Sequence, residues 1–142
     1  MKNRIILLLI FIIISCDSSP DMNIKNIENK IVPQLIKDQY NVAFLIMNGT
    51  FNTELTAPYD IFQHTTFRKG IKSMNVFTVA NTGKPIKTFE GIRILPDFNY
   101  LKDSLPKIDI LVVPSAEHHL DSDLNDVQMI NFVKKLPKML SS

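Results

Sequence analysis

The side chains able to do chemistry gather in two short stretches. Ser115, Ala116, Glu117, His118 and His119 follow directly on Pro114, with Asp121 just beyond. The turn Asn48-Gly49-Thr50 and, a few residues later, Glu54 make up the other stretch. Glu117, His118, His119 and Asp121 offer atoms for a metal ion or a proton carrier. Adjacent histidines on a loop point apart and do not readily share one metal, and a solvated loop accounts for the same residues. Ser115 lacks the G-x-S-x-G surroundings of a nucleophile elbow. Its hydroxyl, or the backbone N–H groups after it, are candidates for an anion or oxyanion, which needs donors aimed at one point. Glu54 reads either as an acid stabilising a helix N-terminus or as a crevice carboxylate that orients or protonates a reacting group. Gly49 serves a turn or permits close backbone approach. His64 lies inside a helical stretch and is not expected to be a ligand. No metal site and no cofactor is expected.

Cys16 is the single cysteine. Intrachain disulfides and Cys-ligated zinc are thereby excluded. Its setting is distinctive: Lys2 and Arg4 precede an unbroken apolar run over residues 5–14, and Ser15 stands just before it. The run has ten residues, too few for a helix that needs about 20 to span a bilayer, and the pattern is that of a secretory signal. Ile13-Ile14-Ser15-Cys16 resembles a bacterial lipobox, in which the cysteine is acylated, by palmitate among other chains, and becomes the new N-terminus. Each buried CH₂ of such chains contributes roughly 0.8 kcal/mol to anchoring. An ordinary signal peptide or an uncleaved anchor are the alternatives. The lipobox implies an extracytoplasmic protein held to the cell or outer membrane, with the lipid bilayer as its partner through Cys16. A lipidated Cys16 is unavailable as a nucleophile.

The remainder is globular in composition, with 45% apolar and 21% charged residues over 142 positions, enough for one domain. The net charge of +2 belongs to Lys2 and Arg4, without which 14 basic residues face 14 acidic ones. No basic patch or charge run points to nucleic acid. The division expected is a signal over 1–15, a lipidated tether over 16–40 and a domain over 41–142. Ile24, Ile27, Ile31 and Leu35 recur at helical spacing, interrupted by Pro33, so the tether is either a short docked helix or a spacer.

The elements that must position the chemistry are legible as runs. Residues 42–47 are a continuous apolar strand, residues 74–80 (MNVFTVA) are the next strand, ended by Asn81-Thr82-Gly83, and residues 108–113 form a third apolar run ending at Pro114. Between the first two, Asn52 or Thr53 caps a helix with Leu55, Tyr59, Phe62 and Thr66 as its stripe and Ile61 beside it. Pro58 lies within that helix and Gly70 stops it. Residues 86–88 and 92–95 flank Phe89-Glu90-Gly91 as a small hairpin, and one helical turn is expected near Tyr100. Asp121, Ser122 and Asp123 cap a last helix whose buried face is Leu124, Val127, Ile130, Val133 and Leu136. Strand, helix, strand, hairpin, strand, helix is the alternation of an α/β domain with a parallel sheet. In a flavodoxin-like order the first strand is central, and the crevice lies at the carboxyl ends of strands 42–47 and 108–113, where the order reverses. The two chemistry-bearing stretches meet there.

Residues 42–62, VAFLIMNGTFNTELTAPYDIF, resemble the opening of the ThiJ/PfpI family of the class I glutamine amidotransferase-like superfamily. That opening is a strand, a small loop and a helix with an acid just before a small-Pro pair, here Glu54 and Ala57-Pro58. Residues 108–114 resemble the later strand ending in Pro-Gly-Gly. The resemblance spans about residues 41–136. It implies a flavodoxin-like three-layer α/β sandwich with a mostly parallel sheet, often dimeric. In active members a cysteine on a strand-to-helix elbow is contacted by the acid matching Glu54, and N–H groups after the proline matching Pro114 help form an oxyanion hole. Here Pro-Gly-Gly is replaced by Pro114-Ser115-Ala116. The elbow would follow Leu136, whereas the sequence ends at Ser142, so the domain is expected to be incomplete at its C-terminal end.

The functional expectation is therefore a membrane-anchored lipoprotein with a truncated ThiJ/PfpI-like domain, not catalytic as given. The alternatives are a fragment of a cysteine-dependent hydrolase or hydratase, and a module binding a small ligand around Gly49, Ser115, Ala116, Glu117 and His118. The strand IDILVV over 108–113 becomes an open apolar edge, which invites aggregation, homodimers or edge-strand pairing and predicts marginal stability.

Overall fold

Long apolar runs with β-branched and aromatic residues occupy the middle of the sheet, because a parallel sheet is covered on both faces by its connecting elements and its central strands are apolar on both sides. The computed structural model describes residues 32–136. These lie in one of two units of the chain, Ile31–Ser142; the other, Met1–Lys30, carries the segment expected to be a signal and Cys16, and is outside the described residues. β1 (Tyr40–Leu45) pairs in parallel with β2 (Met74–Ala80), Val42 opposite Val76 and Phe44 opposite Thr78. On its other side β1 pairs in parallel with Ile110–Val112, Phe44 opposite Val112. The expected reversal of order around the first strand is therefore present.

One strand was not expected. Phe98–Asn99 pairs in parallel with the end of β2, where a loop with a helical turn was anticipated. Between it and β2 lies the expected hairpin, β3 (Ile86–Lys87) antiparallel to β4 (Arg93–Ile94). With Phe98–Asn99 as β5 and Ile110–Val112 as β6, the sheet order is β5-β2-β1-β6, a mostly parallel, flavodoxin-like α/β arrangement.

Alternation along β1 splits the core in two. Val42, Phe44 and Ile46 join Leu55, Val76 and Ala80 on one face. Ala43 and Leu45 join Phe77, Val79, Phe98, Ile108 and Phe132 on the other. Phe44 and Phe77 are fully buried, and each such side chain is worth roughly 1.5–3 kcal/mol relative to exposure.

The first face is covered by α1 (Asn52–Gln63), which runs on as a 3₁₀ turn, His64–Phe67. Leu55 is buried, and the Tyr59 and Phe62 rings pack on Phe44 at 5.1 and 6.1 Å. Thr66 falls in the 3₁₀ turn and is exposed, and Ile61 is exposed on α1; Thr65 instead anchors the end, donating to the Phe62 carbonyl and accepting from the Met74 N–H. Neither Asn52 nor Thr53 caps α1. Phe51 is the N-cap residue without a side-chain bond, and the carboxylate of Glu90, from the hairpin tip, accepts the Asn52 N–H at 3.1 Å. Pro58 does not end the helix, and Gly70, at φ +78°, turns the chain toward β2 after the 3₁₀ turn rather than stopping α1 itself.

The other face is covered by α2 (Val127–Lys135). Its cap is Asp126, whose carboxylate accepts the Met129 N–H at 2.9 Å; Ser122–Asn125 form a separate 3₁₀ turn. This later start rotates the buried face. Phe132 is buried, Met129 and Leu136 pack beside it, and Tyr100 stacks on Phe132 at 4.4 Å. Leu124, Val127 and Val133, expected inside, are exposed.

Residues 32–39 form neither helix nor strand. Leu35 packs on the second core cluster, and buried Asn75 grips Ile36 through both its N–H and its carbonyl at 2.9 Å. The chain is already held to the sheet there. The preceding positions of the helical pattern, through Ile31, lie outside the described residues.

Candidate functional site

Where β1 and β6 end, their loops are stitched together. Thr50 and Ala116 form an antiparallel bridge, with the Phe51 N–H donating to the Ser115 carbonyl and the Glu117 N–H to the Gly49 carbonyl, both at 3.0 Å. Thr50 is fully buried, and its hydroxyl both accepts the Met47 N–H and donates to the Met47 carbonyl, closing the turn. The hairpin fixes the same loop from the other side. The Lys87 carbonyl accepts the Gly49 N–H, the Asn48 side chain accepts the Lys87 N–H, and the Thr50 carbonyl accepts the Phe89 N–H.

Gly49 performs both of the tasks open to it. Its φ is +82°, and a Cβ placed on it would meet the Glu117 Cβ at 3.0 Å. Glu117 thus lies directly over Gly49, its carboxylate half-exposed and 3.7 Å from His118 Nε2. The two expected stretches do meet at the strand ends.

Of the N–H groups after Pro114, that of Glu117 is committed to Gly49. Those of Ser115 and Ala116 make no hydrogen bond to a described residue. The Ser115 side chain is exposed, and Ala116 is buried. Glu54 is exposed in the first turn of α1 and makes no ion pair with a described residue.

His118 turns toward a small crevice of ≈200 Å³, shared with Asn48, Asn81, Tyr100, Asp123 and Asp126. Burial, and secondarily the Asp126 charge, push the Tyr100 hydroxyl up to about 12, so it stays protonated in this setting. His119 points elsewhere. Its Nε2 is 3.8 Å from Asp123 Oδ2, both atoms are cut off from solvent, and neither has a hydrogen-bond partner among the described residues. Asp121 is exposed and only its backbone takes part, donating to the His118 carbonyl. The adjacent histidines therefore approach different carboxylates, His118 that of Glu117 and His119 that of Asp123. Among the described residues no group of three His, Cys, Asp or Glu is placed to hold a metal ion. His64 is remote in role, bonded to the Asp60 carbonyl of its own helix at 2.8 Å.

Two contributors escaped the sequence reading. Thr50 signalled only a turn, although its hydroxyl and its bridge to Ala116 organise the junction. Glu90 sits at a hairpin tip, and nothing local in the sequence announces that its carboxylate reaches the α1 N-terminus.

No family model and no curated protein matches the sequence. Solved structures do match the fold. A ThiJ/PfpI family protein from Pseudomonas syringae aligns with 85% of this chain and 43% of its own at 20% identity, TM-score 0.53. A putative transcriptional regulator from Vibrio parahaemolyticus aligns with 69% of this chain and 51% of its own at 17% identity, TM-score 0.55. A thiJ/pfpI family protein from Bacillus anthracis aligns with 72% and 49% at 21% identity, TM-score 0.50. The likeness is one of fold, the flavodoxin-like α/β fold of DJ-1 and ThiJ/PfpI proteins, and the chain spans about half the length of the solved structures it matches.

Proposed function

We propose that this chain is a membrane-anchored lipoprotein, acylated at Cys16 and extracytoplasmic, whose domain is part of a ThiJ/PfpI-like fold. It binds a small ligand where β1 and β6 end and does not use the cysteine chemistry of that fold family. The observation that carries this reading is the stitched junction itself. The groups it offers a ligand are the Ser115 and Ala116 N–H donors, which bond to no described residue, and the half-exposed Glu117 carboxylate, with His118 beside it lining the adjoining crevice. A donor pair beside a carboxylate suits a polar ligand that presents both an acceptor and a donor. The anchor is tested by labelling cells with a palmitate analogue and fractionating them. The wild-type chain should carry label and sediment with membranes, and Cys16→Ala should do neither. Equal labelling of the two, or an unlabelled wild type, overturns the anchored reading.

The side of β6 away from β1, which no strand covers among the described residues, favours a second reading, a piece of a longer cysteine-dependent hydrolase or hydratase. Ile110, Leu111 and Val112 are only partly buried, whereas β1 and β2, flanked on both sides, are buried almost throughout. A neighbouring strand from a longer chain would complete that edge, and Glu54 would then support a cysteine outside these 142 residues. Immunoblotting of the native protein separates the readings: a species well above 16.2 kDa supports the longer enzyme, and one at or below it supports the binder.

A further inference from the structure

On the α1 face, away from the stitched junction, a groove of ≈870 Å³ opens between the helix and the β4–β5 connection. This falls within the roughly 300–1,000 Å³ range of small-molecule sites. Its walls are apolar, built by Leu55 and Ala57 of α1 and by Ile94 and Leu95 of the hairpin. Among its polar lining groups, Thr78 and Asp97 bond to each other. One oxygen of that carboxylate accepts the Thr78 N–H at 2.7 Å and the Thr78 hydroxyl at 2.8 Å, while the Asp97 N–H donates back to the same hydroxyl at 2.9 Å. The carboxylate is therefore fixed in place, half-buried, and has no basic partner among the described residues. Its charge is felt across the groove, where it adds to burial in raising the Tyr59 hydroxyl above its ordinary range. Asp60 adds a second carboxylate at the rim, partly engaged by His64 at 3.1 Å, and among the described residues no Lys or Arg lines the groove.

We infer that this groove is a separate binding site for a small amphiphilic amine, its apolar body between α1 and the hairpin and its ammonium group on Asp97. An anion would face two carboxylates without a cation between them. A neutral apolar molecule would leave the fixed Asp97 carboxylate partly desolvated and unpaired, which is costly. An ammonium group supplies the missing charge and donates to the carboxylate oxygen that Thr78 leaves open. None of the groove's lining residues lines the crevice at the strand ends, so this site stands whether or not the proposed function above does.

The test uses the 142-residue chain with phenethylamine, and with phenethyl alcohol and phenylacetate as isosteric controls, followed by NMR titration at low and high salt. The amine should bind at least about tenfold tighter than the alcohol, as a hydrogen bond to a charged group implies, and phenylacetate weakest of all. Shifts should map to residues 55–63 and 94–97. Asp97→Asn should weaken the amine about tenfold and leave the alcohol unchanged. Because Asp97 also holds Thr78, Ala57→Trp provides a second variant. Ala57 is exposed, so the indole fills the groove mouth without removing a core contact, and binding should be lost. Equal affinity for amine and alcohol, shifts mapping to the strand-end crevice, or wild-type binding by both variants would overturn the inference.

Discussion

Gly49 is the residue on which the junction depends, and its two roles are separable. Any L side chain at φ +82° pays for the left-handed conformation, and a Cβ also meets that of Glu117. Gly49→Ala should therefore cost about 1–3 kcal/mol, read by urea denaturation. Glu117→Gly removes the opposing Cβ and leaves the backbone bond to the Gly49 carbonyl in place. If close approach matters, Gly49→Ala should cost less in the Glu117→Gly background than in the wild type. Equal costs would leave only the turn role. Tyr100 gives a pH dependence at the same scale. Its hydroxyl is held up to about 12 in the folded protein against 10.0 in an unstructured chain. An acid with a raised folded pKa favours folding while both states are protonated. Between pH 10 and about 12 the unfolded chain loses the proton first, so this contribution falls as pH rises. Tyr100→Phe should flatten that alkaline loss relative to wild type, measured as stability against pH. Identical slopes would show that Tyr100 is not the group responsible.

At the level of elements, α2 shows what burial decides. Phe132 is buried against Tyr100 and the β2–β5 side of the sheet, so Phe132→Ala should cost about 3–5 kcal/mol. Val127→Ala, on the exposed face, should stay within about 0.5 kcal/mol. The reverse order would restore the face expected from sequence. That expectation failed for a local reason. The apolar spacing places Leu124 in the helix, whereas residues 122–125 form a 3₁₀ turn and Asp126 caps a helix starting at Val127, which puts the buried stripe on Met129, Phe132 and Leu136. β5 escaped notice because Phe98 and Asn99 carry no periodicity; their pairing with Val79 and Ala80 is a tertiary choice. β1 and β6 are legible because continuous apolar runs bounded by turns leave few alternatives, β2 because its run ends in Asn81-Thr82-Gly83, and the hairpin because Phe89-Glu90-Gly91 stands between two short segments, where Gly91 indeed takes φ +97°. The meeting of the loops at the strand ends followed from strand order. Which atoms face one another there did not, since Thr50, Lys87 and Glu90 act across distances in sequence that no local pattern encodes.

For the molecule as a whole, the deciding feature is the open side of β6. β1 and β2 each have a strand on both sides, and β6 has one on the β1 side alone among the described residues. The strand is short, with Pro106 before it and Pro114 after it, and Lys107 pairs with Asp109 at 2.7 Å at its entrance. Proline and charge are the usual means of blunting an edge. They stand at the ends here, however, and the three residues between them are Ile110, Leu111 and Val112, followed by Val113, whose side chain is exposed. An unpaired row of backbone groups beside apolar side chains should pair with a second copy as concentration rises. Sedimentation of the 142-residue protein should therefore show mass increasing with concentration. Val113→Lys puts a charge on the edge outside the paired residues, and it should suppress the increase while changing stability by no more than about 0.5 kcal/mol. If the edge also limits stability, limited proteolysis should cut near β6 first, and more slowly at concentrations where the protein associates. A protease-resistant monomer across the concentration range would mean that Pro106, Pro114 and the Lys107–Asp109 pair are sufficient to protect the edge.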